Sequence, residues 1–80
     1  MSEQVIINYL KNHYYILISD LRAEHIVGML NLLLYWKRDV YLEISGRNTI
    51  TGFPDTITIS TKELFTVGNQ ENYGNRFELN

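Results

Sequence analysis

The hydrophobic periodicity of this 80-residue chain changes near residue 40, and this change limits the folds open to it. Before that point, apolar residues recur at every third or fourth position, which is typical of amphipathic helices. From Val40 onward they alternate with polar residues, which is typical of strands with one buried face. A chain of this length has only one small core. The sequence therefore predicts an α+β domain, with two N-terminal helices packed on a small antiparallel β-sheet.

Both predicted helices lie in the first half of the chain. The first has apolar residues at helical spacing from Val5 to Leu17. Ser19 and Asp20 are both suitable N-cap residues for the second, whose apolar pattern continues to Leu30. The connection between the two helices is therefore expected to be tight.

The block Leu32-Leu33-Leu34-Tyr35-Trp36 is harder to place. Asn31, just before it, tolerates the left-handed conformation that ends many helices, so the block either lengthens the second helix or forms an apolar linker. Five successive large apolar residues cannot all face one core in a helix or a strand, so part of the block is expected to be exposed. Two interpretations stay open. Either Leu33 and Trp36 cover the sheet, or the block is a contact surface.

Two strands are predicted after residue 40. The first alternates from Val40 to Ser45 and is interrupted by Gly46-Arg47-Asn48. The second, from Thr56 to Ile59, is rich in β-branched residues. Because the connection between them is too short for a crossover helix, we expect the two strands to pair antiparallel.

The C-terminal part is predicted to hold a short helix or strand and then a polar tail. Ser60 and Glu63 have the spacing of a capping box, which favours a helix start. Apolar residues become sparse after Val67. The predicted domain therefore covers residues 1–67, and residues 68–80 are expected to be a polar tail with partial disorder.

Charge and composition exclude several classes of function. Seven Lys and Arg against nine Asp and Glu give a net charge of −2, which argues against a nucleic-acid partner. The absence of cysteine excludes disulfides and thiolate zinc sites, suits a reducing compartment and favours a cytoplasmic location. The apolar stretch from Ile26 to Trp36 is shorter than the ~20 residues of a membrane-spanning helix. The first residues, Met1 to Gln4, have no basic flank, so we expect no signal peptide.

No arrangement of residues predicts catalysis, a cofactor or a metal site. Asp20 and Glu24 lie one helical turn apart, but acidic residues at a helix start are explained by capping and by the helix dipole. His13 and His25 lack the spacing of metal ligands, and we expect one to face the interior and the other solvent. The glycines form no phosphate loop, dinucleotide fingerprint or nucleophile elbow.

Three segments in the second half stand in a specific order: Gly46-Arg47-Asn48, Thr51-Gly52-Phe53-Pro54 and Thr56-Ile57-Thr58-Ile59-Ser60. Together with the first ten residues and Arg22-Ala23-Glu24, they resemble the MreB and Mbl family of bacterial actin-like proteins. The resemblance covers residues 1 to about 65. It corresponds to subdomain IIB, the smaller lobe on one side of the nucleotide cleft, and implies an actin-like, cytoskeletal context.

The resemblance also bears on nucleotide binding. In the family, the second helix of this lobe begins with Thr-Ala-Glu-x-Ile-Lys, whose Glu and Lys face the ribose and adenine of ATP. Here Glu24 matches that Glu, but Val27 stands where the Lys is expected. The phosphate-binding hairpins belong to parts of the family's chain that this sequence does not contain. The resemblance thus implies at most a vestigial nucleotide contact at Glu24, and we expect no ATP hydrolysis.

The function expected from these observations is a non-catalytic protein-interaction module. By mimicry of one lobe, it would bind a bacterial actin-like protein and modulate filament assembly, with the block Leu32 to Trp36 as its contact surface. The first alternative is a self-associating module in which two such blocks bury each other across a two-fold axis. A further alternative is a residual nucleotide-binding module that uses Glu24.

Overall fold

The computed structural model describes residues 2–68 of the chain. Its elements confirm the predicted α+β class, and the last element of the described residues is a helix rather than a strand. Most of the predicted polar tail lies outside the described residues. In chain order the elements are α1 (Glu3–Tyr14), β1 (Ile16–Leu17), α2 (Asp20–Tyr35), β2 (Tyr41–Asn48), β3 (Pro54–Ser60) and α3 (61–68).

The three strands form one antiparallel sheet in the order β1-β2-β3. The predicted pairing of the two longer strands is confirmed, with Ile44 opposite Ile57. The predicted interruption at Gly46-Arg47-Asn48 is wrong, because β2 continues to Asn48 and pairs there with β1. Strand β1 was not predicted, since two residues are too few for alternation to be recognised.

The predicted extension of the first helix to Leu17 is also wrong. Helix α1 ends at Tyr14, and Tyr15 adopts a left-handed conformation (φ 55°, ψ 37°) that turns the chain away from the helix axis. Ile16 is then buried from a strand rather than from a helix. The N–H of Thr49 donates to the Tyr15 carbonyl (2.8 Å), which ties this turn to the end of β2.

The close approach of β1 to β2 depends on the absence of a side chain at Gly46. A Cβ atom there would overlap the carbonyl oxygen of Leu17 and come within 2.9 Å of the Ile16 side chain. The glycine inside β2 is therefore a packing requirement and does not end the strand.

One hydrophobic core joins α1, α2, α3 and one face of the sheet. In α2 the core positions follow the helical period, so a single stripe of the helix faces inward. The fully buried core side chains are Ile6, Leu10, Ile16, Ala23, Leu30, Ile44, Ile59 and Leu64.

Candidate interaction surface

The end of helix α2 and its C-cap residue contain the block Leu32 to Trp36, for which the sequence predicted either a helix or a linker. It begins after Ser19, whose Oγ accepts a hydrogen bond from the Arg22 N–H (3.1 Å), and continues through Asn31 to Tyr35. The prediction of a helix end at Asn31 is wrong, and the alternative that the block lengthens the helix is correct. The physical reason is that Leu33, one turn after the buried Leu30, still contributes half-buried surface if the helix continues.

The end of α2 is a Schellman motif, with an unusual residue in its left-handed position. The N–H of Lys37 donates to the Leu34 carbonyl (3.1 Å), and the N–H of Arg38 donates to the Leu33 carbonyl (2.9 Å). Lys37 has φ of 56°, where glycine is the usual residue. Without a glycine or asparagine at this position, the sequence offered no signal for the helix end.

The five residues Leu32, Leu33, Leu34, Tyr35 and Trp36, which we call the helix-end patch, are mostly exposed. The exposed fractions are 54% for Leu32, 61% for Leu34, 81% for Tyr35 and 59% for Trp36, whereas Leu33 is half-buried. The expected partial exposure of the block is therefore confirmed. The interpretation in which Trp36 covers the sheet is wrong, because more than half of its side chain is exposed.

An open pocket lies beside the helix-end patch. It has a volume of about 670 Å³ and is lined by Leu33, Trp36, Arg38 and Val40. Three of these side chains are apolar, and the fourth carries a guanidinium group. The pocket can therefore hold an apolar or aromatic side chain next to a carboxylate.

The segment that follows the patch is fixed to the first turn of α3. One carboxylate oxygen of Asp39 accepts hydrogen bonds from the Thr61 hydroxyl (2.8 Å) and the Lys62 N–H (3.1 Å). The Thr61 hydroxyl oxygen accepts in turn from the Val40 N–H (3.0 Å), and Thr61 is fully buried. These bonds hold the patch and its pocket in one orientation.

The structure does not bring Glu24 to the helix-end patch. Glu24 is exposed in the second turn of α2, and eight residues of helix, about 12 Å, separate it from Leu32. Val27 is half-buried and packs against the core. The N-cap is Ser19, and Asp20 is the first residue of the helix. The acidic side chains of Asp20 and Glu24 are therefore explained by their favourable interaction with the positive end of the helix dipole.

A second cluster, formed by Tyr9, Tyr14 and Glu63, was missed by the sequence analysis. The predicted helix start is confirmed, since Ser60 Oγ accepts from the Glu63 N–H (3.1 Å). The Glu63 carboxylate, however, does not complete a capping box. Both tyrosine hydroxyls donate to its Oε2 atom, each at 2.5 Å. Residues 49 and 54 positions apart in the chain give no sequence signal for this contact.

The hydrogen bonds in this cluster shift all three pKa values. Donation to Glu63, together with desolvation, raises the pKa of Tyr9 and of Tyr14 to about 12, because the neutral hydroxyl is the donor. The same two bonds lower the pKa of Glu63, because they stabilise its charged form. The ring of His13 stacks on Tyr9 with centroids 4.5 Å apart. His13 and His25 are both exposed, so the expectation of one interior histidine is wrong.

Residues 2–68 contain no group of three or more histidine, aspartate or glutamate side chains arranged to hold a metal ion. None of the helices in this part of the chain combines the length and the apolar composition needed to cross a membrane.

Two known proteins that are similar to this chain in sequence are named cell shape-determining proteins. The cell shape-determining protein Mbl of Bacillus cereus is 37% identical over 59 residues, and Mbl of Bacillus subtilis is 36% identical over 59 residues. Each of these alignments covers 74% of this chain but only 18% of the relative. The chain therefore spans about a fifth of the length of the relatives it matches.

A comparison of structures and a family model both point to the same group of proteins. The crystal structure of MreB5 of Spiroplasma citri bound to ADP has a similar fold, with a TM-score of 0.75 and 23% sequence identity. The similarity covers 96% of this chain and 23% of the MreB5 chain. The family model described as MreB/Mbl protein matches residues 1–71. Since that match extends over most of the chain, the chain belongs to the MreB/Mbl family.

Proposed function

We propose that this chain is a non-catalytic protein-interaction module that acts in the bacterial cytoplasm. It binds a subunit of an actin-like filament, occupies a surface used in assembly and so modulates polymerisation. The observation that supports this proposal is the helix-end patch, in which four large apolar side chains of five are more than half exposed. Family membership supplies the class of partner, because a copy of one lobe can present that lobe's contacts without the rest of the subunit.

The patch has the composition of a specific contact. Burying one leucine side chain fully contributes about 1.5–3 kcal/mol relative to its exposed state. Leu32 and Leu34 together can therefore offset much of the entropic cost of association. Tyr35 and Trp36 are of the types that dominate the energetics of protein interfaces.

The pocket beside the patch favours one kind of partner segment. Leu33, Trp36 and Val40 can surround an apolar side chain, while the Arg38 guanidinium pairs with a carboxylate next to it. Because the Asp39 hydrogen bonds hold this segment in place, little ordering is needed on binding. A partner segment with a large apolar residue beside an aspartate or glutamate matches this surface.

A polymerisation assay tests the proposal. The purified chain, added to a polymerising Mbl protein, is expected to change the amount of sedimentable filament in proportion to its concentration. The double variant Leu34→Asp with Tyr35→Ser should abolish this effect and leave the far-UV circular dichroism unchanged, because both side chains are exposed. A matched control is Glu24→Gln, which changes an exposed residue in an earlier turn of α2 and should keep the effect. No effect of the parent chain on any filament protein tested would overturn the proposal.

The absence of catalysis is part of the proposal. Val27 offers neither charge nor hydrogen bond where the family pattern has lysine, and its side chain packs against the core. We expect that millimolar Mg-ATP is not hydrolysed and does not raise the melting temperature. A ligand-dependent rise that disappears in Glu24→Gln would instead support the residual nucleotide-binding alternative.

The other alternative is self-association without a filament partner. Gel filtration at several concentrations separates it from the main proposal. An apparent mass that rises from that of one copy to that of two as the concentration increases, together with no effect on filaments, would favour self-association.

A further inference from the structure

Helix α2 has a second, mostly apolar stripe besides the one that faces the core. The inner face, with Ala23, Ile26 and Leu30, is part of the core. At about 100° per residue, six residues fall within one stripe about 100° wide on the side of the helix away from the core, which we call the outer face of α2. Leu21 and Met29 on this face are 63% and 44% exposed. A second apolar stripe, separate from the one that faces the core, is typical of a helix with a further neighbour. The outer face consists of Leu21, His25, Gly28, Met29, Leu32 and Trp36.

Gly28 is the second observation that points to a neighbour on this face. It lies in the middle of a 16-residue helix, where glycine costs roughly 0.5–1 kcal/mol relative to alanine. A Cβ atom at this position would meet nothing within 4 Å, so no contact within the described residues requires glycine. A glycine at the centre of an exposed apolar face allows the backbone of a second helix to approach closely.

We propose that the outer face of α2 binds the outer face of α2 in a second copy of this chain. The two helices run antiparallel, and a two-fold axis passes between Gly28 and Met29. This axis stands at the midpoint of the stripe from Leu21 to Trp36, which is about 22 Å long. Leu21 then lies opposite the partner's Trp36, and the two Gly28 residues lie next to each other at the crossing. A two-fold interface requires such a self-complementary stripe.

The charges beside the outer face favour the same arrangement. Arg22 and Glu24 lie on opposite flanks of the stripe. In an antiparallel pair related by a two-fold axis, each flank meets the same flank of the partner. Arg22 therefore approaches the ring of the partner's Trp36, and Glu24 approaches the hydroxyl of the partner's Tyr35. The two arginines stay about 20 Å apart, so the pair gains a cation–π contact without like-charge repulsion.

This inference names the interface of the self-association alternative and does not depend on filament binding. Substitution at Gly28 separates the two, because Gly28 lies outside the helix-end patch. The chain of 9.4 kDa should sediment with a mass that rises toward twice this value as its concentration increases. Gly28→Leu should weaken this association at least ~tenfold, since the new side chain blocks the crossing.

The same variant has a distinct signature in the monomer. Gly28→Leu places its side chain in open space and improves helix propensity, so the melting temperature of the dilute protein should stay equal or rise. Below the concentration at which the parent chain associates, its effect on filament sedimentation should equal that of the parent, because Leu32 and Trp36 are then free in both proteins. Monomeric behaviour of the parent chain at all concentrations, or association of Gly28→Leu equal to that of the parent, would overturn the inference.

Single cysteines test the orientation, because the chain has none of its own. Met29→Cys lies next to the proposed axis and should form a dimer under oxidising conditions or with a short bis-maleimide. Leu21→Cys should not link to itself, because its two copies lie about 22 Å apart. Leu21→Cys mixed with Trp36→Cys should link. Self-linking of Leu21→Cys, or a Met29→Cys protein that stays unlinked, would show that the antiparallel arrangement is wrong.

Discussion

Two regions that both contact the first turn of α3 differ in whether their side chains have partners within residues 2–68. At Glu63, a half-buried carboxylate accepts hydrogen bonds from two tyrosine hydroxyls, so its polar group has partners within the chain. In the helix-end patch, large apolar side chains are exposed although the segment after them is firmly held by Asp39. The first region stabilises the fold. The second is ordered without being covered by residues 2–68, and its apolar surface remains available for a contact.

The largest expected effect on stability comes from removing the carboxylate of the first region. Glu63→Leu leaves the hydroxyls of Tyr9 and Tyr14 without their acceptor in a half-buried position. We expect a loss of about 2 kcal/mol in the free energy of unfolding, measured by urea denaturation. Glu63→Gln keeps an acceptor oxygen at this place and should lose less. Equal stability of the parent and Glu63→Leu would mean that the cluster does not hold α1 to α3.

The pH dependence of unfolding should follow from the same cluster. Folding lowers the pKa of Glu63 from its ordinary value of 4.5. The stabilisation of the folded state by this carboxylate is therefore fully present above pH 4.5 and is lost as the pH falls through the lowered pKa. Tyr9 and Tyr14 have pKa values raised from 10.0 to about 12, so their contribution is present below pH 10.0 and lost as the pH rises toward 12.

Thermal unfolding at a series of pH values measures both limits. Tyr9→Phe with Tyr14→Phe should flatten the alkaline decline, whereas Glu63→Gln should flatten the acid contribution of this group. An alkaline decline that persists unchanged in the double phenylalanine variant would assign it to other groups. The effect at either limit should be smaller than that of Glu63→Leu, since protonation changes the charge and keeps the side chain.

A smaller effect, of opposite sign, is expected at the end of α2. Lys37 has a left-handed conformation, which costs a residue with a Cβ atom roughly 1–2 kcal/mol. Lys37→Gly removes that cost but gives the unfolded chain more freedom, so a net gain of about 0.5–1 kcal/mol is expected. Lys37→Ala is the matched control, because it removes the charge and keeps the Cβ atom. A gain in Lys37→Ala as large as in Lys37→Gly would contradict the conformational explanation.

The smallest effect on stability is expected in the helix-end patch itself. Leu34→Asp with Tyr35→Ser changes two residues that are 61% and 81% exposed, so the free energy of unfolding should stay within about 0.5 kcal/mol of the parent value. Chemical denaturation of the dilute protein measures this. If the double variant unfolds, the patch is part of the core, and the contrast between the two regions is false.

The sequence predicted the features that depend on periodicity. The α+β class and the antiparallel pairing of β2 with β3 follow from the change of period near Val40 and from a short connection. The partial exposure of the block from Leu32 to Trp36 follows from the geometry of five consecutive side chains. These are local properties, and they can be recognised without knowing the tertiary contacts.

The features that were missed depend on single residues in unusual conformations or on distant contacts. Tyr15 and Lys37 both adopt positive φ values although neither is a residue type that favours them, so the ends of α1 and α2 were misplaced. Gly46 was interpreted as a strand breaker, but its role is to admit β1. The Glu63 cluster joins the two ends of the described chain, and nothing in the neighbouring sequence indicates it.

The hydrogen bonds of Asp39 can form only after Thr61 and Lys62 have been synthesised. Asp39 and Thr61 are 22 positions apart, so at about 5–20 residues per second a ribosome needs roughly 1–4 s to add the second after the first. During this interval the apolar end of α2 has been synthesised, but the residue that anchors its following segment has not. Because residues leave the ribosome in the order in which they are added, the apolar end of α2 emerges before Thr61, and we expect a nascent chain to expose this hydrophobic surface to chaperones before its anchor is in place.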